Sequence, residues 1–136
     1  MARFVIGPDV ALRLIEEGGG SLSGHQLLAP TILRSEVLAE LYRAVRRGDC
    51  DRRTANARLD KLRRLKLRLL GDRVLQRVAF EIAESLDWPD TFAAEYLALT
   101  RLQADAFVTL DQDLARVART VVAVATLDEL IADEGR

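Results

Sequence analysis

"DAFVTLDQDLARVA" (residues 105–118) is the stretch on which the fold turns. Ala106, Phe107 and Val108 read as a buried strand ending at Thr109. Two carboxylates, Asp111 and Asp113, come next, and helical spacing resumes at Leu114. A core strand that delivers acids to its carboxyl end has a meaning in an open parallel sheet, because ligands gather outside that edge. The same acids would also cap a helix. The rest of the chain has to separate these two uses.

Working outward, the pattern of strands and helices repeats. "RFVI" (3–6) is a short apolar run closed by Gly7-Pro8, and Asp9 is placed to cap "VALRLIEE". "GGGSLSG" (18–24) is a loop with His25 beside it, a surface position. "QLLAP" (26–30) predicts a strand stopped by Pro30, which also suits the first turn of "TILRSEVLAELYRAVRRG". There Ile32, Leu33, Val37, Leu38, Leu41, Tyr42 and Val45 recur at helical spacing until Gly48. A basic helix follows over 51–65, a strand over 66–70 and an amphipathic helix over 72–86. After the turn "DWPD", Asp90 is placed to cap the helix "TFAAEYLALTRLQ". The last strand is "TVVAVAT" (120–126), and Thr126 caps "LDELIAD". The order β-α-β-αα-β-αα-β-α-β-α predicts an α/β fold, a parallel sheet of about five strands covered by helices on both faces.

Length and composition agree with one domain spanning 1–136. The chain has 136 residues, 49% of them apolar and 30% charged, an ordinary globular balance. No apolar run approaches the roughly 18 residues that span a bilayer, and the start "MARFVIGPDV" lacks a signal-peptide core. Cys50 is the single cysteine, which excludes an internal disulfide or a cysteine zinc cage. A cytoplasmic protein with no membrane contact is the expectation. Cys50 and Trp88 are read as packing residues.

The net charge of −1 hides a polarised chain. Between Arg43 and Arg68 stand eleven basic residues against three acids (Asp49, Asp51 and Asp60), a local charge of +8. Arg43, Arg46, Arg47 and Arg53 belong to this segment and would present a basic face to a polyanion such as RNA. A solvated arginine-rich helix pair would carry the same charges.

Carboxylates are expected on the opposite logic, at the carboxyl edge of the sheet. Asp9 follows the first strand, Glu36 lies on a broadly apolar helix face beside Leu33 and Val37, and Asp111 and Asp113 end the fourth strand. Asp90 and Glu95 open the helix before it. Oxygen donors gathered in this way suit Mg²⁺ or Mn²⁺, and two such ions clamp the oxygens of a phosphodiester. Asp9, Asp90 and Asp111 have a second explanation as N-caps, worth about 1 kcal/mol each. Glu36 does not, because a helical acid among apolar neighbours is desolvated at a cost unless something pairs with it.

The stretches "FVIGPDVALRL", "LLAPTILRSEVLAELYRA", "TFAAEYLALTRLQADAFVTLDQDLA" and "VVAVATLDELI" together resemble the PIN-domain family, which includes the VapC-type ribonuclease toxins. The resemblance covers essentially the whole chain. It implies a three-layer α/β/α sandwich, Mg²⁺- or Mn²⁺-dependent cleavage of RNA, a homodimer, and neutralisation by a small antitoxin protein. Family members place an acid at four points. Glu36 matches the second and Asp111 the fourth, whereas Gly7 occupies the first and Ala93 the third. The resemblance therefore implies weak or impaired catalysis, with Asp9 and Asp90 (or Glu95) as substitutes and Asp113 as a further metal ligand. The alternative is an inactive PIN-like module that binds RNA or a protein partner without cutting; a purely structural oligomer is a third possibility.

Overall fold

The computed structural model describes residues 2–17 and 24–132. The glycine loop, apart from Gly24, and the last residues of the chain lie outside them. The element order is the expected one: β1 (Ala2–Ile6), α1 (Pro8–Glu16), β2 (His25–Pro30), α2 (Leu33–Arg47), α3 (Arg52–Arg64), β3 (Leu67–Leu70), α4 (Arg73–Ser85), α5 (Phe92–Gln103), β4 (Ala106–Val108), α6 (Gln112–Ala118), β5 (Val124–Ala125) and α7 (Leu127–Ala132). All four strand pairings are parallel, in the order β3-β2-β1-β4-β5. Helices α1, α2 and α3 pack on one another. Helix α5 packs on α4 and lies across β1, β2 and β4. The architecture is a three-layer α/β/α sandwich.

The central strands are apolar because both of their faces are covered. Val5, Ile6, Leu28, Phe107 and Val108 are almost wholly buried. Helix α5 fills the space above them with Ala94, Leu97, Ala98 and Leu99. Burying a side chain such as Phe107 contributes about 2–3 kcal/mol, so the three-residue strand β4 owes its place to packing and to its pairing with β1 and β5.

Local chemistry sets the element ends. Asp51 accepts from Thr54 N, and Asp72 from Leu75 N, each capping the helix that follows. At Gly48 the backbone turns left-handed (φ 83°). There Gly48 N and Asp49 N return to the carbonyls of Val45 and Ala44, closing α2 in a Schellman turn. Two expectations need correction. Strand β5 is only Val124–Ala125, because Val121 N and Val122 N bond to Ala118 O and keep that segment coiled against α6. His25 is not a surface loop residue. It opens β2 half-buried, its Nδ1 accepting from Ala2 N at 3.3 Å and its ring edge-on to Phe4. Cys50 and Trp88 do lie half-buried against the core.

Candidate functional site

From β1, the connections run one way to β2 and β3, while β4 and β5 lie on its other side. The carboxyl ends of β1 and β4 are therefore the topological switch point, where an open α/β sheet leaves its crevice. Gly7 N donates to Val108 O at 3.0 Å across this point. Asp9 occupies the crevice.

Gly7, not Asp9, is the N-cap of α1, and Pro8 takes the first helical position. This leaves Asp9 in the first turn, with its side chain directed across to β4. Asp9 Oδ2 accepts from Leu110 N at 2.9 Å and from the Thr109 hydroxyl at 3.0 Å, while Oδ1 accepts from Val10 N at 2.8 Å. Asp111 N in turn donates to Thr109 Oγ1 at 3.2 Å. The carboxylate thus clasps the end of β4 to the start of α1. A Cβ on Gly7 would stand 2.8 Å from Asp9 Oδ1. The Asp9 carboxylate fills the space that a side chain at position 7 would need. Gly7 has an ordinary extended backbone (φ −75°, ψ 167°), so its lack of a side chain answers this close approach and no turn requirement.

Glu36 lies in the first turn of α2, because the helix begins at Leu33. The helix dipole favours a carboxylate there. The Tyr96 hydroxyl of α5 donates to Glu36 Oε1 at 2.6 Å, a short charge-assisted bond. Burial drives the Tyr96 phenol far above its ordinary range, helped by that bond and by the charges of Glu36, Glu95 and Asp9. Glu95 is held above the usual carboxylate range by burial and then by the charge of Glu36. Three acids therefore crowd one tyrosine. Asp9 and Glu36 open on a shared cleft of 390 Å³, whose walls also carry Arg13, Glu16, Glu40 and Arg43.

The other predicted acids take different places. Asp111 is the N-cap of α6, its Oδ1 accepting from Asp113 N and Leu114 N, and it is not among the residues lining the cleft. Asp113 is exposed and paired with Arg116 at 2.9 Å. Asp90 lies two residues before α5, exposed, with Oδ1 accepting from Phe92 N at 3.2 Å. Asp90, expected to stand in for the acid missing at Ala93, is therefore not in the helix that carries Ala93. Among the basic residues, Arg43 pairs with Glu40, Arg47 with Glu40 and Asp49, and Arg46 lies 6.0 Å over the Tyr42 ring. Arg53 is exposed in the first turn of α3.

The donor chemistry of the cleft, all carboxylate oxygen, is the kind a hard divalent cation takes. The arrangement falls short of it. Among the described residues no three His, Cys, Asp or Glu side chains group so as to hold a metal ion. Both Asp9 oxygens and Glu36 Oε1 already receive protein donors. As they stand, these residues do not fit a preformed Mg²⁺ or Mn²⁺ site.

Sequence reasoning overlooked Tyr96, which sits inside the quoted "EYLAL", and Arg13, a lone cation on α1. An aromatic hydroxyl beside an acid was the available signal for Tyr96. Arg13 left none, standing outside the basic run.

The same fold occurs in PAE2754 of Pyrobaculum aerophilum. That solved structure superposes with a TM-score of 0.80 over 98% of this chain and 96% of that chain, at 15% sequence identity. At that identity the likeness speaks for the fold alone. No protein-family profile matches the chain, and no curated protein does.

Proposed function

We propose that the protein is a PIN-like, RNA-directed module akin to the metal-dependent ribonuclease toxins, in which cleavage is weak or lost and RNA binding remains. The observation that supports this is the Asp9 clasp. In an active member the acids at the switch point repel one another, at roughly 3 kcal/mol per pair at 5 Å and an effective dielectric of 20, and need a cation to coexist. Here Asp9 takes three protein donors, Asp111 two and Glu36 one. Glu95 is held above the usual carboxylate range by burial and then by the charge of Glu36. The repulsion that would recruit a metal is relieved by hydrogen bonds instead.

This chain's residues then have definable work. Asp9 fixes the β4–α6 turn, Tyr96 orients Glu36, and both carboxylates shape a cleft at the sheet edge where a ligand of an open α/β fold lies. Such a protein would act in the cytoplasm, with a small antitoxin-like protein and a second copy of the chain as the partners the resemblance carries with it. The described helices agree with the lack of a membrane role to this extent: none is long and apolar enough to cross a bilayer.

The test is equilibrium binding of a labelled single-stranded RNA in EDTA and again in millimolar Mn²⁺. Comparable, salt-sensitive affinity in both is expected. Affinity that exists only with the metal would show that the acids still form a cation site, and no affinity in either buffer would refute the RNA reading.

A further inference from the structure

A second cleft opens beside the first. It encloses 290 Å³ between the last turn of α1, helix α6 and the β5–α7 junction, and Arg13 and Leu110 line both clefts. The two are therefore neighbouring parts of one groove along the carboxyl edge of the sheet. Their charges differ in sign. The first cleft sets Asp9, Glu16, Glu36 and Glu40 against Arg13 and Arg43. Among the described residues, the second sets Arg13 and Arg119 against a single acid, Asp128.

Resting on the RNA reading above, we propose that this second cleft is a phosphate seat for single-stranded RNA, with Arg13 and Arg119 as its cationic contacts. A phosphodiester entering the groove is repelled by the carboxylate half and attracted by the arginine half, with Arg13 at the boundary. The arginines are at liberty to take it. Among the described residues neither Arg13 nor Arg119 has a carboxylate within ion-pair distance, whereas Arg116, one turn before Arg119, is held by Asp113. Of the four predicted RNA-facing arginines, Arg43 and Arg47 are bound to carboxylates and Arg46 lies over a ring, while Arg53 is exposed with no ion pair among the described residues.

Neutral groups complete the seat. Thr126 Oγ1 accepts from Glu129 N, which leaves its hydroxyl proton to donate to a phosphate oxygen. Gln112 adds an amide donor. No aromatic ring lines this cleft, so it offers no base-stacking platform of the kind that single-strand binders use. The seat should grip the backbone and be indifferent to the bases, since phosphate contacts position a strand without reading it.

The experiment compares fluorescein-labelled oligouridine and oligoadenosine binding to the full chain by anisotropy, across a salt series, for wild type, R13Q/R119Q and R46Q/R53Q. The seat predicts about tenfold or greater weakening in R13Q/R119Q for both RNAs, with the slope of log K against log salt reduced by about 1.4 for two lost contacts. R46Q/R53Q should stay within about twofold of wild type. R13K/R119K, which keeps both charges, should retain most of the affinity and shows whether any loss in R13Q/R119Q comes from charge or from misfolding. Wild-type binding that survives R13Q/R119Q but is lost in R46Q/R53Q would overturn the seat and leave the RNA reading standing. A wild type that binds neither RNA would overturn the RNA reading and the seat with it.

Discussion

Replacing Gly7 with alanine is the sharpest probe of the clasp. The backbone at Gly7 suits alanine, so with no neighbour in the way the change would stabilise by about 0.4–1 kcal/mol through the unfolded chain. The added Cβ, however, would meet Asp9 Oδ1 at 2.8 Å. To restore ordinary contact the carboxylate must retreat by roughly half an ångström, and its bonds to Leu110 N and Thr109 Oγ1 are already 2.9 and 3.0 Å long. Losing two hydrogen bonds to a charged group costs about 1.5 kcal/mol each at the low end. The net expectation is a destabilisation of about 2 kcal/mol. For a chain of this length that is a fall in Tm of roughly 6–10 °C. The assay is thermal and urea unfolding followed by circular dichroism, made as a cycle with Asp9→Ala. In the Asp9→Ala background the obstruction is gone, and Gly7→Ala should be neutral or stabilising, giving a coupling of about 2–3 kcal/mol. If Gly7→Ala were harmless in the wild-type background, or equally costly in both, the clasp would not be holding the switch point.

The remaining predictions follow from the neighbouring groups. Tyr96→Phe removes the donor from Glu36 Oε1 and should cost about 2 kcal/mol in urea unfolding; an unchanged midpoint would mean that water replaces the phenol at no loss. Glu95 is raised in the folded state, so its favourable contribution is complete below the ordinary glutamate range and disappears as pH rises through the folded value. Melting curves from pH 4 to 8 should therefore decline less for Glu95→Gln than for wild type, and the variant should be the more stable at neutral pH. The opposite order would show that Glu95 is wanted as an anion. Wild type in millimolar Mn²⁺ should gain no more than about 1 °C in Tm, as expected for a ligand near or below its dissociation constant. A rise of several degrees would reveal a real cation site.

Much of the fold can be read along the chain because local signals agree with one another. Asp51, Asp72 and Asp111 stand just before helical periods and cap them, and Gly48 stops α2 where its left-handed backbone is needed. The parallel order follows from strands separated by helices. Some misreadings fall where a residue's partner is distant in sequence. Asp9 looks like a cap, but its partners Thr109 and Leu110 are about a hundred residues away. Pro8 carried the local clue, since proline favours the first helical position and pushes Asp9 one place inward. Glu36 was legible as a desolvated acid in need of a partner, while the identity of that partner, Tyr96 on another helix, was not. At 120–123 the β-branched valines suggest strand, yet the turn after α6 holds them. Arg13 and Arg119 stand outside the long basic run, are isolated in sequence and share a cleft only through the fold.

In the proposed function, the acids at the switch point hold the fold together and do not assemble a working metal site. The most direct test of this is a denaturing-gel time course of labelled single-stranded RNA with excess protein in Mn²⁺, under salt at which binding is saturated. Bound RNA that remains intact, or is cut only in trace over hours and equally by Glu36→Gln, is the expected result. Rapid multiple-turnover cleavage that is abolished by Glu36→Gln and by Asp9→Asn would contradict it, and would make Asp9 a relocated catalytic ligand.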